Sequence, residues 1–279
     1  MAEQKRVWFI TGISGGFGKC LAEEVIKAGD IVVGTLRKAE QVEYFNQLHS
    51  GKALAVQMDV TKPTQVQEAV DKAIETYGRI DVVVNNAGYG LMGTVEEVSL
   101  TEARDLFKTN VFGVMNVLHC VLPQLRKQKS GHILQMSSVS GFRATGGFGL
   151  YNASKFALEG LSEALAAEMI SFNVKVTMVE PGPFRTAFAG SSLKRAEKKI
   201  DAYDPTPVGE WMKQFPERDG KQDGDPVKAA QLMIEVVNSA NPPLRIPMGQ
   251  IAYDGFKRKI ESVEKDMEAW KEKLIKTSF

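Results

Sequence analysis

A tyrosine and a lysine stand four positions apart in YNASK, residues 151–155. The segment that continues from them, FALEGLSEALAAEM, is rich in helix formers and has helical periodicity. Positions i and i+4 share a helix face, so Tyr151 and Lys155 are expected to be neighbours. A free phenol ionises near pH ~10, and a nearby ammonium favours the phenolate. Such a pair can pass a proton near neutrality as a general acid or base. Taken alone, the same spacing usually marks a plain surface pair, so the rest of the chain decides.

A second chemistry-bearing stretch is TGISGGFGK, residues 11–19. It ends one apolar run and opens a helical one. Glycines at such a junction permit positive φ and a close approach of backbone to ligand. The N–H groups at the helix start, together with the helix dipole, favour an anion such as a pyrophosphate. Its place in the first strand–helix unit favours phosphate binding over a turn that only packs the helix.

Short β-rich runs alternate with helical segments along the chain. Residues 6–11, 30–36, 52–60, 80–88, 131–138, 174–182 and 242–248 read as strands. They are near-continuous apolar runs, as expected when helices cover both faces of a parallel sheet. Right-handed crossovers then give an α/β fold, a doubly wound Rossmann-type parallel sheet of about seven strands with helices on both faces. One domain over 1–279 is expected. Within it, 187–241 reads as a lid over the substrate cleft, because 194–225 is charged and rich in Gly and Pro. DPVKAAQLMIEVVN restarts as a helix, with Asp225 as N-cap and Pro226 first. Residues 250–277 read as an amphipathic helix. Its apolar residues Tyr253, Phe256, Ile260, Val263, Met267, Trp270 and Leu274 are spaced three and four apart. That period makes a narrow seam, suited either to packing on its own domain or to a subunit contact.

Composition removes several function classes. The 279 residues carry a net charge of +1 and are 43% hydrophobic, enough for one sizeable core. No broad field attracts nucleic acid or an acidic membrane. Cys20 and Cys120 stand far apart without a His cluster, so neither a disulfide framework nor a metal site is expected. No stretch approaches the roughly 20 apolar residues of a membrane span, and the N-terminal apolar run is too short for a signal peptide. The expectation is a cytoplasmic protein without membrane insertion or nucleic-acid partner.

Gly12-x3-Gly16-x-Gly18, NNAG at 85–88, Asn110, Ser138, the YxxxK stretch and PGPFRT at 181–186 occur in that order. The ordered set resembles the short-chain dehydrogenase/reductase family over about residues 5–190. The resemblance implies a catalytic set of Asn110, Ser138, Tyr151 and Lys155. Ser138 lies 13 residues before Tyr151, where the family's serine stands, with Ser137 the less favoured choice. Asn110 would support Lys155 through a water. By the same resemblance, Gly12, Ser14, Gly15, Gly16, Phe17 and Gly18 form the cofactor turn. Asp59 and Val60 line the adenine side, and Asn86, Ala87 and Gly88 the middle. Thr186 lies near the nicotinamide end, and Tyr151 and Lys155 also meet the cofactor. Asp59 as a turn cap and Asn86 as a strand-end brace are the bland readings.

The second strand ends GTLRK, with Leu36 where the family's NAD-selecting aspartate would stand and Arg37 and Lys38 after it. A guanidinium can fork onto a 2′-phosphate, so NADP(H) is preferred. Family members that use NADP often carry Arg or Lys just before the second glycine. Here Gly15 stands there, and NAD(H) remains open.

The expected activity is hydride transfer between nicotinamide and a carbonyl or secondary alcohol, with no metal. Tyr89, Phe142, Phe148, Phe184, Phe188, Trp211 and Phe215 suggest a bulky apolar small-molecule ketone or aldehyde. An isomerase or dehydratase with bound cofactor, or a non-catalytic NADP(H) sensor, are the alternatives. The C-terminal seam leaves a homodimer or homotetramer open.

Overall fold

The computed structural model describes residues 5–49 and 51–278. The N-terminal reading therefore rests partly on residues outside that range. In chain order the strands are β1 (Val7–Ile10), β2 (Ile31–Leu36), β3 (Ala53–Gln57), β4 (Val82–Asn85), β5 (Gly90–Met92), β6 (Gly131–Met136), β7 (Val174–Pro181), β8 (Leu193–Arg195) and β9 (Arg245–Met248). The helices are α1 (Gly16–Lys27), α2 (Ala39–Leu48), α3 (Pro63–Tyr77), α4 (Leu100–Phe107), α5 (Gly113–Gln128), α6 (Gly149–Met169), α7 (Pro207–Gln214), α8 (Pro226–Asn238) and α9 (Gln250–Leu274).

Seven strands form one parallel sheet in the order β3-β2-β1-β4-β6-β7-β9. Side chains alternate across it. Trp8 and Ile10 of β1 face a core layer shared with α1 and α8, while Val7 and Phe9 face a second layer shared with α3, α5 and α6. Both layers bury Val, Ile, Leu and Phe, so each face of the sheet contributes to the hydrophobic stabilisation. This is why the strands read as continuous apolar runs.

The order reverses between β1 and β4, which diverge in sequence but pair in space. A crevice opens at such a reversal, outside the carboxyl ends of the strands. The glycine turn leaves β1 there, and NNAG leaves β4 beside it. No helix among the described residues is long and apolar enough to cross a membrane.

Two expectations change. The region over the cleft is shorter than 187–241, because α8 buries Ala229, Ala230 and Met233 in the core layer beside α1. The Asp225 side chain does cap α8, accepting from Val227 and Lys228 N–H. The cleft region also contains β8, which pairs with β5 as a separate two-stranded sheet. Three-residue strands leave too short a period to be read from sequence. The second change concerns α9. Ala252, Gly255 and Phe256 are buried on the domain, but the residues from 257 to 278 are exposed. Packing of the whole helix on its own domain is not what the structure shows.

Candidate active site

The glycine turn is shaped by contacts that exclude side chains. Gly12 has φ 72° and Gly16 φ 55°, both in the left-handed region that favours glycine. A Cβ on Gly18 would run into Gly12 O and Asn86 Nδ2, so Gly18 lets α1 sit against the ends of β1 and β4. Gly15 stands at the α1 N-cap and no side chain caps that helix. The first N–H groups of α1 are thus left for an anion. Ser14 is exposed beside them, and Phe17 packs edge-on against Phe184 at 5.1 Å. An opening of about 440 Å³ lies next to Gly16, bordered by Thr186, Arg185 and Gly220. A Cβ on Gly16 would lie 3.6 Å from Thr186 Cβ, so the loop after β7 closes over the turn.

NNAG braces this turn. Asn86 Nδ2 donates to Thr11 O at 2.8 Å and Gly12 O at 2.9 Å. Thr11 Oγ1 accepts from the Asn86 and Ala87 N–H groups, each at 2.9 Å. Gly88 lies against Asn110, where an added Cβ would be 3.0 Å from Oδ1. Asp59 Oδ1 accepts from the Thr61 N–H and hydroxyl, both at 2.8 Å, and so acts as a turn cap. Val60 is buried and its carbonyl accepts from Asn116. Arg37 and Lys38 project into solvent at the end of β2, and none of the ion pairs among the described residues involves Arg37.

Tyr151 and Lys155 lie on the buried face of α6. Ser138 stands just past β6, and its Oγ accepts from Ser140 N–H. Of the two adjacent serines, Ser138 is the one that bears on the Tyr151 hydroxyl. A Cβ on Gly141 would lie 2.6 Å from Ser137 Oγ and 3.0 Å from Glu159 Cγ, so Ser137 faces a different cluster. Asn110 sits on a π-helical turn between α4 and α5, a local widening that often marks functional sites. Its amide accepts from Tyr89 N–H and donates to Tyr89 O and Ser154 Oγ. It fixes the Tyr89 loop and makes no direct bond to Lys155.

The electrostatics differ from the expectation of an acidified phenol. The Lys155 ammonium donates to Met136 O at 2.6 Å and lies 5.9 Å from the Tyr151 ring centre. Burial is the larger effect on both groups. It pushes the Tyr151 phenol up to about 12, with the Ser138 hydroxyl opposing. It pushes Lys155 down to about 8, with the Glu159 charge opposing. In this arrangement Tyr151 holds its proton firmly at neutral pH.

Phe188 lies 5.4 Å and Phe148 6.2 Å from the Tyr151 ring, Phe215 packs on Phe148, and Trp211 packs on Phe215. Tyr89, Leu91 and Met92 complete this apolar wall. Two expected cleft residues lie elsewhere. Phe142 stacks on Phe256 of α9 at 4.0 Å, and Phe184 belongs to the core layer under the glycine turn.

The sequence reading missed a buried acidic cluster behind the site. Glu159 is one turn past Lys155, on the same helix face, and Glu180 lies at the end of β7. Both are buried, and the Arg245 Nε is 3.5 Å from one and 3.4 Å from the other. Burial pushes both carboxyls up, and the neighbouring Glu159 charge helps to bring Glu180 to about 9. A charge inside the apolar run VKVTMVEP was the available signal.

A profile of the short chain dehydrogenase family matches residues 6–197. The 3-ketodihydrosphingosine reductase of Bacteroides thetaiotaomicron is 35% identical, covering 89% of this chain and 89% of that protein. A short-chain dehydrogenase crystal structure from Streptomyces avermitilis superposes with a TM-score of 0.92 at 37% identity, covering both chains completely. The structure of ElxO with NADP bound superposes at 0.70 with 28% identity, over 86% of this chain and 94% of that one.

Proposed function

This chain belongs to the short-chain dehydrogenase family, and from that premise we propose that it is an NADP(H)-dependent reductase of a bulky apolar ketone or aldehyde. The observation that carries this reading is the buried Tyr151 hydroxyl, with Ser138 beside it and Lys155 one helical turn away. When bound, the nicotinamide supplies or accepts the hydride. The fit for such a cofactor rests on the uncapped start of α1, on Gly18, whose Cβ position is already taken by Gly12 O and Asn86 Nδ2, and on the positive φ of Gly12 and Gly16. Arg37 would take the 2′-phosphate, with its guanidinium free to fork onto it.

The chain's own groups then perform the proton chemistry. Tyr151 donates its phenolic proton to the carbonyl oxygen as charge develops there, and Ser138 donates a hydrogen bond to the same oxygen. A phenol pushed up to about 12 enters as the acid, which suits the reducing direction. The Lys155 cation offsets the phenolate left behind. Phe148, Phe188 and Phe215 exclude water from that phenolate and offer an apolar surface to the substrate. The Bacteroides relative is named as a reductase of a 3-keto compound, in keeping with a ketone substrate.

Tyr151→Phe tests the reading. General acid catalysis is worth about 10²–10⁴-fold, so reduction of a carbonyl panel, followed by loss of NADPH absorbance, is expected to fall by that factor. NADPH binding, followed by its fluorescence, is expected to persist. A variant with near-normal turnover removes Tyr151 from the chemistry. Carbonyl conversion without stoichiometric NADPH oxidation favours an isomerase or dehydratase instead.

A further inference from the structure

The distal part of α9 is an amphipathic helix on which nothing packs among the described residues. Phe256 is the last residue that the domain buries. Beyond it Ile260, Val263, Met267, Trp270 and Leu274 are each 40–59% exposed and spaced three and four residues apart. The free segment from 257 to 274 is about 27 Å long. A lone helix of that length is marginal in water. Its internal supports are a Lys271–Glu268 ion pair and Lys273 over the Trp270 ring, both at the surface and individually weak. The stripe is the narrow seam of a two-stranded coiled coil rather than the wide face of a domain-packing helix.

The charges beside the stripe indicate what covers it. One edge carries Lys257, Glu264 and Lys271; the other carries Lys259, Asp266 and Lys273. From 264 to 273 each edge runs from acid to base, so that part of each is complementary to itself reversed, and Lys257 and Lys259 lie before the overlap. We propose that this helix pairs antiparallel with α9 of a second copy of the chain, about a two-fold axis between residues 268 and 269. Val263 then meets Leu274 of the second copy, and Met267 meets Trp270. Glu264 faces Lys271 and Asp266 faces Lys273 across the two edges.

A parallel pair would also match some charges. It would, however, place two domains, each with a radius of gyration of about 19 Å, at the same end of helices only 8–10 Å apart (roughly). The antiparallel pair separates the two points of emergence at Lys257 by about 35 Å. Acidic residues interleave with the basic ones along the segment, which disfavours an anionic lipid surface as the occupant. The seam is short, below the roughly 1,200 Å² of a standard interface, so micromolar association is expected.

Sedimentation velocity of the full chain over about 1–100 μM tests the pairing. The dimer fraction is expected to grow with concentration, and Met267→Glu to weaken association at least tenfold while the circular dichroism of the folded domain is unchanged, since Met267 is exposed. Glu264→Lys alone is expected to weaken it, and Glu264→Lys with Lys271→Glu to restore it. In a parallel pair the double variant stays weak. Association unchanged by Met267→Glu, or no recovery in the double variant, overturns the proposal. So does Met267-dependent binding to phosphatidylcholine–phosphatidylserine vesicles by a chain that stays monomeric.

Discussion

Replacing Glu180 by Gln should make the protein lose less stability as the pH rises. Glu180 is fully buried, and its cation, Arg245, is shared with Glu159 and with Glu163 at 2.7 Å. Three carboxyls around one guanidinium cannot all ionise at low cost, least of all the two removed from water. Burial and the Glu159 charge raise Glu180 from 4.5 to about 9. The unfolded chain therefore releases this proton near pH 4.5, while the folded chain keeps it to about 9. Between those limits the folded state binds more protons, so stability falls as pH rises. The contribution is full below pH 4.5 and is lost as pH passes through about 9. At ~1.4 kcal/mol per pH unit, the loss by pH 7 has a ceiling of about 3 kcal/mol. Sharing of the proton with Glu159 and the pull of Arg245 reduce that to about 1–3 kcal/mol. Gln keeps the shape, carries no titrating proton and lets Glu159 ionise alone against Arg245. Urea unfolding at pH 5, 7 and 9, followed by circular dichroism, reads the effect. The stability of Glu180→Gln relative to the natural chain should rise by about 1–3 kcal/mol between pH 5 and 7, and further toward pH 9. A constant offset is irrelevant to the argument. Parallel pH profiles would refute the shared-proton account of the cluster.

Arg37→Asp should raise the Michaelis constant for NADP at least tenfold more than that for NAD, because a carboxylate repels the 2′-phosphate; equal changes would remove Arg37 from cofactor selection. Lys155, lowered to about 8, should lose its charge as pH rises past that value, so kcat/KM for reduction should fall above pH 8. Lys155→Arg should move this limb beyond the accessible range, and a limb that stays in place belongs to another group. Gly18→Ala should lower stability by about 1–3 kcal/mol and weaken NADPH binding, because the new methyl meets Gly12 O and Asn86 Nδ2. Calorimetry showing an unchanged midpoint would mean that the junction relaxes freely.

The local signals in the chain were strong where they depended on period or on backbone freedom. Continuous apolar runs at β1, β2, β4, β6 and β7 announced a sheet covered on both faces, and the glycines before α1 announced a turn at its edge. The four-residue spacing of Tyr151 and Lys155 placed both on one helix face. Asp225 announced the start of α8 through its capping chemistry. Other features depend on which distant groups share a space. Glu159, Glu180 and Arg245 come from α6, β7 and β9, and no short window of sequence contains their encounter. Phe142 and Phe148 are alike as residues, yet one stacks on α9 and the other lines the wall beside Tyr151. The chemistry of the tyrosine itself divides in the same way. Spacing put an ammonium within reach of the phenol, whereas the tertiary structure decided how deeply both are buried and turned the ammonium to Met136 O. Desolvation acts on a group from all sides, while a sequence specifies only its neighbours along one line, so the direction of that pKa shift was settled by packing.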